Sequence, residues 1–212
     1  YSAMLGLPVV PTAVYPAEAK VAVLGVQALS DPQILSRIRA HLAHGATIAV
    51  TPEFLRKADP ALRQMASVSV SSEAVPETVS LARAGKREMS LTAPLEIDSG
   101  LRALKASVLL SVSSGERSVP LLTSYAAGKG RLLVWNIRTF TEQDFRDTGE
   151  HLLAPKQLGW PEIPQSLADE LRKPFLEVLG IRLDAPARVA FYFIGGKRYL
   201  YNFRDEPVSV RL

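Results

Sequence analysis

The chain has 212 residues, 47% hydrophobic and 22% charged, with no cysteine and a net charge of +4. Such a length suits one medium domain, or a domain of about 150 residues with a small appendage. The missing thiols exclude a disulfide framework, a thiolate nucleophile and a Cys-ligated metal site.

No run approaches the roughly 18 to 20 apolar residues that a membrane-spanning helix needs, so no membrane partner is expected. The basic residues cluster only as isolated pairs, Arg56-Lys57, Lys86-Arg87, Arg172-Lys173 and Lys197-Arg198. A nucleic-acid interface would show a concentrated stripe or a recognisable module, so these pairs read as solvated surface and no nucleic-acid partner is expected. The opening Tyr1-Ser2-Ala3-Met4-Leu5-Gly6 has neither an initiator Met nor a basic and apolar leader. It reads as an internal piece or a processed chain.

In chain order, Lys20 to Gly25 is predicted to be a buried strand. Ser30-Asp31-Pro32 then opens a helix, with Ser30 or Asp31 as acceptor for its free N–H groups and Pro32 in its first turn. Ile34, Leu35, Ile38 and Leu42 form its apolar stripe, and Gly45 ends it. Ala46 to Val50 is the next strand, completing a β-α-β crossover. Residues 67 to 98 hold short β-like pieces broken by Pro76, Gly85 and Pro94, the pattern of an insertion or irregular edge. Ser107 to Val112, Val119 to Tyr125 and Arg131 to Ile137 are further strands, the last two joined by a five-residue hairpin link, Ala126 to Gly130.

The prolines 155, 161 and 164 punctuate a connection to a helix over Pro164 to Leu179, stopped by Gly180. Three antiparallel strands follow, Arg188 to Ile194, Arg198 to Phe203 and Pro207 to Leu212, with Leu171 and Phe175 of the helix covering one face. The predicted organisation is therefore an α/β domain over residues 1–160, with a mainly parallel sheet flanked by helices. A helix and a small antiparallel β part occupy residues 161–212.

The site chemistry reads mostly as structure. Thr51 is the only hydroxyl at the turn after the second strand, where a nucleophile-elbow enzyme places Ser or Cys. With Pro52 and Glu53 behind it, Thr51 is expected to cap a helix. His41 and His44 share one helix face, but no third ligand or H-E-x-x-H pattern supports zinc, so a solvated helix end is expected. His151 beside Glu150 and the acids Glu142, Asp144 and Asp147 read as surface groups, and Gly128-Lys129-Gly130 as a hairpin turn and not a phosphate loop. No catalytic, cofactor-binding or metal residue is assigned and no cofactor is expected. Phe140 and Phe145, in the loop beyond the Arg131 strand, and Trp160 after it, are candidates for an interface or ligand contact.

Three stretches carry a resemblance: Tyr1 to Val9, Leu42-Ala43-His44-Gly45-Ala46-Thr47-Ile48-Ala49-Val50-Thr51, and Val119 to Tyr125 with Gly128-Lys129-Gly130-Arg131. With Tyr199 to Phe203 and Val208 to Leu212 they resemble the class I glutamine amidotransferase-like (flavodoxin-like) domain, followed by a small β domain, of family 42-type β-galactosidases. That domain is the so-called trimerisation domain. The resemblance implies a degenerate amidotransferase fold whose first strand precedes Tyr1, because Thr51 stands where the nucleophilic Cys belongs and no His-x-Glu partner occurs. It also implies a non-catalytic accessory role, with a second copy or other domains of a larger enzyme as partners. Two other readings remain: a small unorthodox hydrolase or amidotransferase-like enzyme using Thr51, His151 and acids, and a sugar-binding module using Tyr192, Tyr199, Tyr201 and Trp160.

Overall fold

The computed structural model describes residues 2–8, 10–138, 146 and 159–212. Strand β1 (Val21–Val23) and strand β2 (Thr47–Val50) pair in parallel, with helix α1 (Ile34–Ala43) crossing between them. Asp31, and not Ser30, opens the helix: its Oδ1 accepts the Gln33 N–H at 2.8 Å. Ile34, Ile38 and Leu42 are buried, while Leu35 sits at the rim. Helices α2 (Pro52–Lys57) and α3 (Pro60–Ala66) follow, each starting on a proline behind an oxygen-bearing cap, Thr51 and Asp59.

The remaining main strands are β4 (Pro76–Ala84), β5 (Arg87–Asp98), β7 (Ser107–Ser114), β8 (Arg117–Ala127) and β9 (Gly130–Trp135). Two short strands, β3 (Val68–Ser69) and β6 (Arg102–Ala103), pair separately. The main sheet runs in the order β1-β2-β9-β8-β7-β4-β5. Only the β1–β2 and β2–β9 pairings are parallel; every pairing from β9 out to β5 is antiparallel. The expected mainly parallel sheet is thus corrected to a mixed, mostly antiparallel one.

The cause is in the turns. β4–β5, β7–β8 and β8–β9 are joined by Gly85-Lys86, Gly115-Glu116 and Gly128-Lys129, and each glycine has φ between +57° and +63°. A two-residue turn opening on a left-handed residue forces its strands antiparallel. Of the two readings of residues 67–98, the irregular edge is the one found: they are mostly a long hairpin at the sheet edge, with a register shift between Val79 and Leu81.

β9 is buried on both faces, and its residues alternate between two cores. Leu132 and Val134 meet α1, α2 and α3, while Leu133 and Trp135 enter the core of the antiparallel part. Helix α4 (Gln165–Leu176) packs into that second core through Leu167, Leu171 and Phe175. The Phe175 and Trp135 ring centroids are 6.1 Å apart.

Near the C-terminus, β10 (Val189–Ile194) and β11 (Lys197–Asn202) form a hairpin. The expected third strand is absent among the described residues: Arg211 makes only an isolated bridge with Asp184. The Asn202 side chain turns the chain away first, accepting the Arg204 N–H at 3.0 Å and donating to the Glu206 carbonyl at 2.8 Å. The hairpin also rests on Leu176, Ile181 and Leu183, not on Leu171 and Phe175 as the sequence suggested.

Removing the Phe175 ring leaves a void against Trp135 in a full core. Phe175→Ala is expected to cost about 3 to 5 kcal/mol, read as the shift of a urea unfolding midpoint. A loss no larger than an ordinary surface change, within about 0.5 kcal/mol, would show the ring to be outside the core.

Candidate functional site at the carboxyl ends of the central strands

In open sheets with parallel strands, ligands collect at the strands' carboxyl ends. Here Thr51 follows β2 and Asn136 follows β9. Thr51 Oγ1 accepts the Phe54 N–H at 3.3 Å, so the hydroxyl serves as the cap of α2, as expected from its sequence. That cap orients the first turn of α2 and places Glu53 and Arg56 beside the end of β5.

Arg56 is the hub. Its Nη1 meets Glu53 and its Nη2 meets Asp98, while its Nε donates to the Ser71 carbonyl at 3.1 Å. Lys57 Nζ lies 3.0 Å from the other Glu53 oxygen. Asp98 Oδ1 accepts the N–H groups of Val75 at 3.2 Å and Gly100 at 2.9 Å. Asn136 is wholly buried: its Oδ1 accepts the Asp98 N–H at 2.9 Å, and its Nδ2 donates to the carbonyls of Asp98 at 2.9 Å and Pro120 at 2.8 Å. Arg138 Nε donates to Glu96 at 2.7 Å beside this group.

Burial pushes the Glu53 carboxyl up, but the hydrogen bonds and charges of Lys57 and Arg56 more than reverse this and leave it below its ordinary value. It stays ionised and fully engaged. Both acids are therefore salt-bridge partners, and the corner works as a clamp between α2, β5 and β9. Sequence reasoning placed Arg56 among the solvated surface pairs; its side chain is 10% exposed. Arg172 is corrected in the same way. It is buried, with Nε on the Ala168 carbonyl at 3.1 Å and Nη2 on Asp169 at 2.7 Å. Asn136 and Asp98 were missed altogether. The one available signal was a polar residue placed directly after the apolar run Leu132 to Trp135.

His41 is not solvated. It is 5% exposed, its Nε2 lies 2.6 Å from the Ala19 carbonyl, and its Nδ1 is 3.1 Å from the Tyr15 hydroxyl. A protonated Nε2 donating to Ala19 and an unprotonated Nδ1 accepting from Tyr15 fit both contacts. Burial raises the Tyr15 pKa to about 12, with Arg37 opposing it in part, so the phenol keeps its proton to donate. His44 is exposed at the helix end as expected. The Tyr15 strap also lines a cleft of about 970 Å³ against β1 and the end of α4, whose walls are mainly apolar.

Trp160 is buried in an edge-to-face contact with Trp135, ring centroids 5.3 Å apart, and so presents no surface to a partner or ligand. Phe140, Phe145, His151, Glu142, Asp144 and Asp147 lie outside the described residues. Among the sugar-platform candidates, Tyr199 and Tyr201 are exposed and Tyr192 is half-buried. Among the described residues, no group of three or more His, Cys, Asp or Glu is placed to hold a metal, and no helix is long and apolar enough to cross a membrane.

No family model matches the chain, and no curated protein matches its sequence. Its fold is similar to part of solved β-galactosidases. The polyextremophilic β-galactosidase from the Antarctic haloarchaeon Halorubrum lacusprofundi aligns with a TM-score of 0.55 at 17% identity, over 95% of this chain and 29% of that one. Gan42B, a GH42 β-galactosidase from G. stearothermophilus, aligns with a TM-score of 0.53 at 14% identity, over 92% and 28%. At these identities the likeness is one of fold, and this chain spans less than a third of the length of those enzymes.

Because Glu53 is held below its ordinary value when folded, its contribution to stability is present above the unfolded carboxylate pKa of about 4.3 and is lost as pH falls through the lower folded value. Arg56→Met strands the acids and should cost about 3 to 5 kcal/mol at neutral pH. The deficit should shrink in acid, where Glu53 can take up a proton. Urea unfolding at pH 7 and pH 3 measures this, and an equal deficit at both would show that the ion pair is not its source.

Proposed function

We propose that this chain is a non-catalytic accessory and assembly domain related to glycoside hydrolases, built on a degenerate amidotransferase-like scaffold. The observation that carries this reading is the state of the corner after β2. The Thr51 hydroxyl caps a helix, and the acids beside it are spent on Arg56. The parallel β1-α1-β2 unit with β9 beside it is the part that such a scaffold would retain. The likeness of fold to a segment of β-galactosidases supports placement within a larger carbohydrate-active enzyme.

The reading fails if the corner does chemistry. The purified chain, assayed with aryl glycosides and with glutamine, is expected to give no turnover. Thr51→Ala should lower stability by about 1 kcal/mol through loss of the cap and change nothing else. Turnover that disappears in Thr51→Ala would replace this proposal with an unorthodox hydrolase.

A further inference from the structure

Every residue of β11 is exposed, and among the described residues it pairs only with β10. Its phase is fixed by one bond, the Phe203 N–H on the Arg188 carbonyl at 2.8 Å. In an antiparallel ladder the residues that bond across alternate with those that face away. Lys197, Tyr199 and Tyr201 therefore turn their main-chain groups to β10, while Arg198, Leu200 and Asn202 turn theirs outward. The side chains along this open edge are apolar at its centre, with Tyr199 45%, Leu200 38%, Tyr201 58% and Phe203 43% exposed. Lys197 and Arg198 guard only the turn end.

We propose that a second copy of this chain pairs with β11, antiparallel, about a twofold axis through Leu200. Three features select this partner and register. Leu200 meets its own copy and Arg198 meets Asn202, so the outward main-chain groups face each other. A shift of one residue would turn outward groups against groups already bonded to β10. No like charges oppose each other either: Arg198 faces Asn202 and Lys197 faces Phe203, while Tyr199 and Tyr201 form a close cross-strand aromatic pair of a favoured kind. Shifting the axis to Tyr201 would set Arg198 against Arg204, and shifting it to Tyr199 would spend Asn202 on Gly196 in the turn.

The contact is isologous, so each edge is consumed by the other. Assembly stops at a four-stranded sheet, β10-β11-β11-β10, without propagating. This deepens the assembly reading by naming the partner. Its failure would leave the question of catalysis at Thr51 where the turnover assay puts it.

The chain has no cysteine, so single-cysteine variants of the full chain report the register directly. At a twofold axis through a hydrogen-bonded pair, the two Cα atoms of Leu200→Cys lie about 5.5 Å apart, inside the range of about 4.4 to 6.8 Å that a disulfide spans. Those of Arg198→Cys lie about 14 Å apart, four residues along the strands and one strand across. Mild oxidation is expected to give covalent dimer from Leu200→Cys and little from Arg198→Cys. Leu200→Pro removes an outward N–H without touching the β10 ladder, and should weaken self-association in sedimentation by roughly tenfold or more. Circular dichroism checks that it stays folded, and Leu200→Lys, which sets two like charges at the axis, gives a second reading of the same loss. A wild-type chain that sediments as a monomer at its highest soluble concentration overturns the proposal. So does equal cross-linking of the two cysteine variants.

Discussion

In a flat sheet with the order found here, β9 and β5 stand four strands apart, or about 19 Å at the usual spacing. Yet the N–H and carbonyl of Asp98, at the end of β5, both bond to the Asn136 side chain at the end of β9, each at 2.9 Å. The sheet must curl until its outer strand returns to its middle. Asn136 holds that closure in a place without solvent, and its third bond, to the Pro120 carbonyl, takes in β8 as well. A buried amide with its partners removed would be left with groups costing about 1 to 3 kcal/mol each, so the closure is exacting in its geometry. Leu95, Ile97, Val112, Leu121 and the two tryptophans form the core that the curl encloses. Gly159 seats Trp160 there, since a Cβ in its place would run into the Pro94 carbonyl.

The closure also explains how the acids at the strand ends come to be paired. With its backbone fixed by Asn136, Asp98 points its carboxylate at Arg56 on α2, and α2 is itself set by the Thr51 cap. A buried ion pair is weak evidence for net stability. Its effect here is one of specificity, because only the curled arrangement gives the Arg56 guanidinium both carboxylates. The corner after β2 is thus the joint between helix and sheet.

What was legible in the sequence was local. The β1-α1-β2 unit, the Thr51 cap and the hairpin at Gly128 rest on contacts between near neighbours, and composition announces them. The direction of the sheet was also written locally, in Gly85-Lys86 and Gly115-Glu116, but was masked by the prolines that make residues 67–98 look broken. Pro76 and Pro94 are tolerated because one begins β4 and the other lies on edge strand β5. Asn136, Asp98 and Arg56 were not legible, since 38 and 42 residues separate the pairs that meet. His41 failed for a similar reason: its cover comes from Tyr15 and Ala19, in a segment without regular structure. An apolar stripe tells which face of a helix is inward, but not what irregular chain lies over the other.

The sheet edges show how differently exposed strands are treated in this molecule. β1 has three residues, too few to template a partner, and the strap through Tyr15 runs beside it. β5 is longer, but it carries Pro94, a register irregularity against β4, and a cover in the turn Trp160–Glu162, to which Thr92 donates at 2.5 Å. Short length, proline, irregular register and cover are the usual protections of an edge. β11 has none of them along its centre: its register with β10 is unbroken from Lys197 to Asn202, and its apolar side chains face water. An edge left regular and apolar, beside a main sheet whose two edges are protected, has the properties of a surface kept for contact. The interaction expected of it is main-chain pairing, for which its outward groups are already aligned.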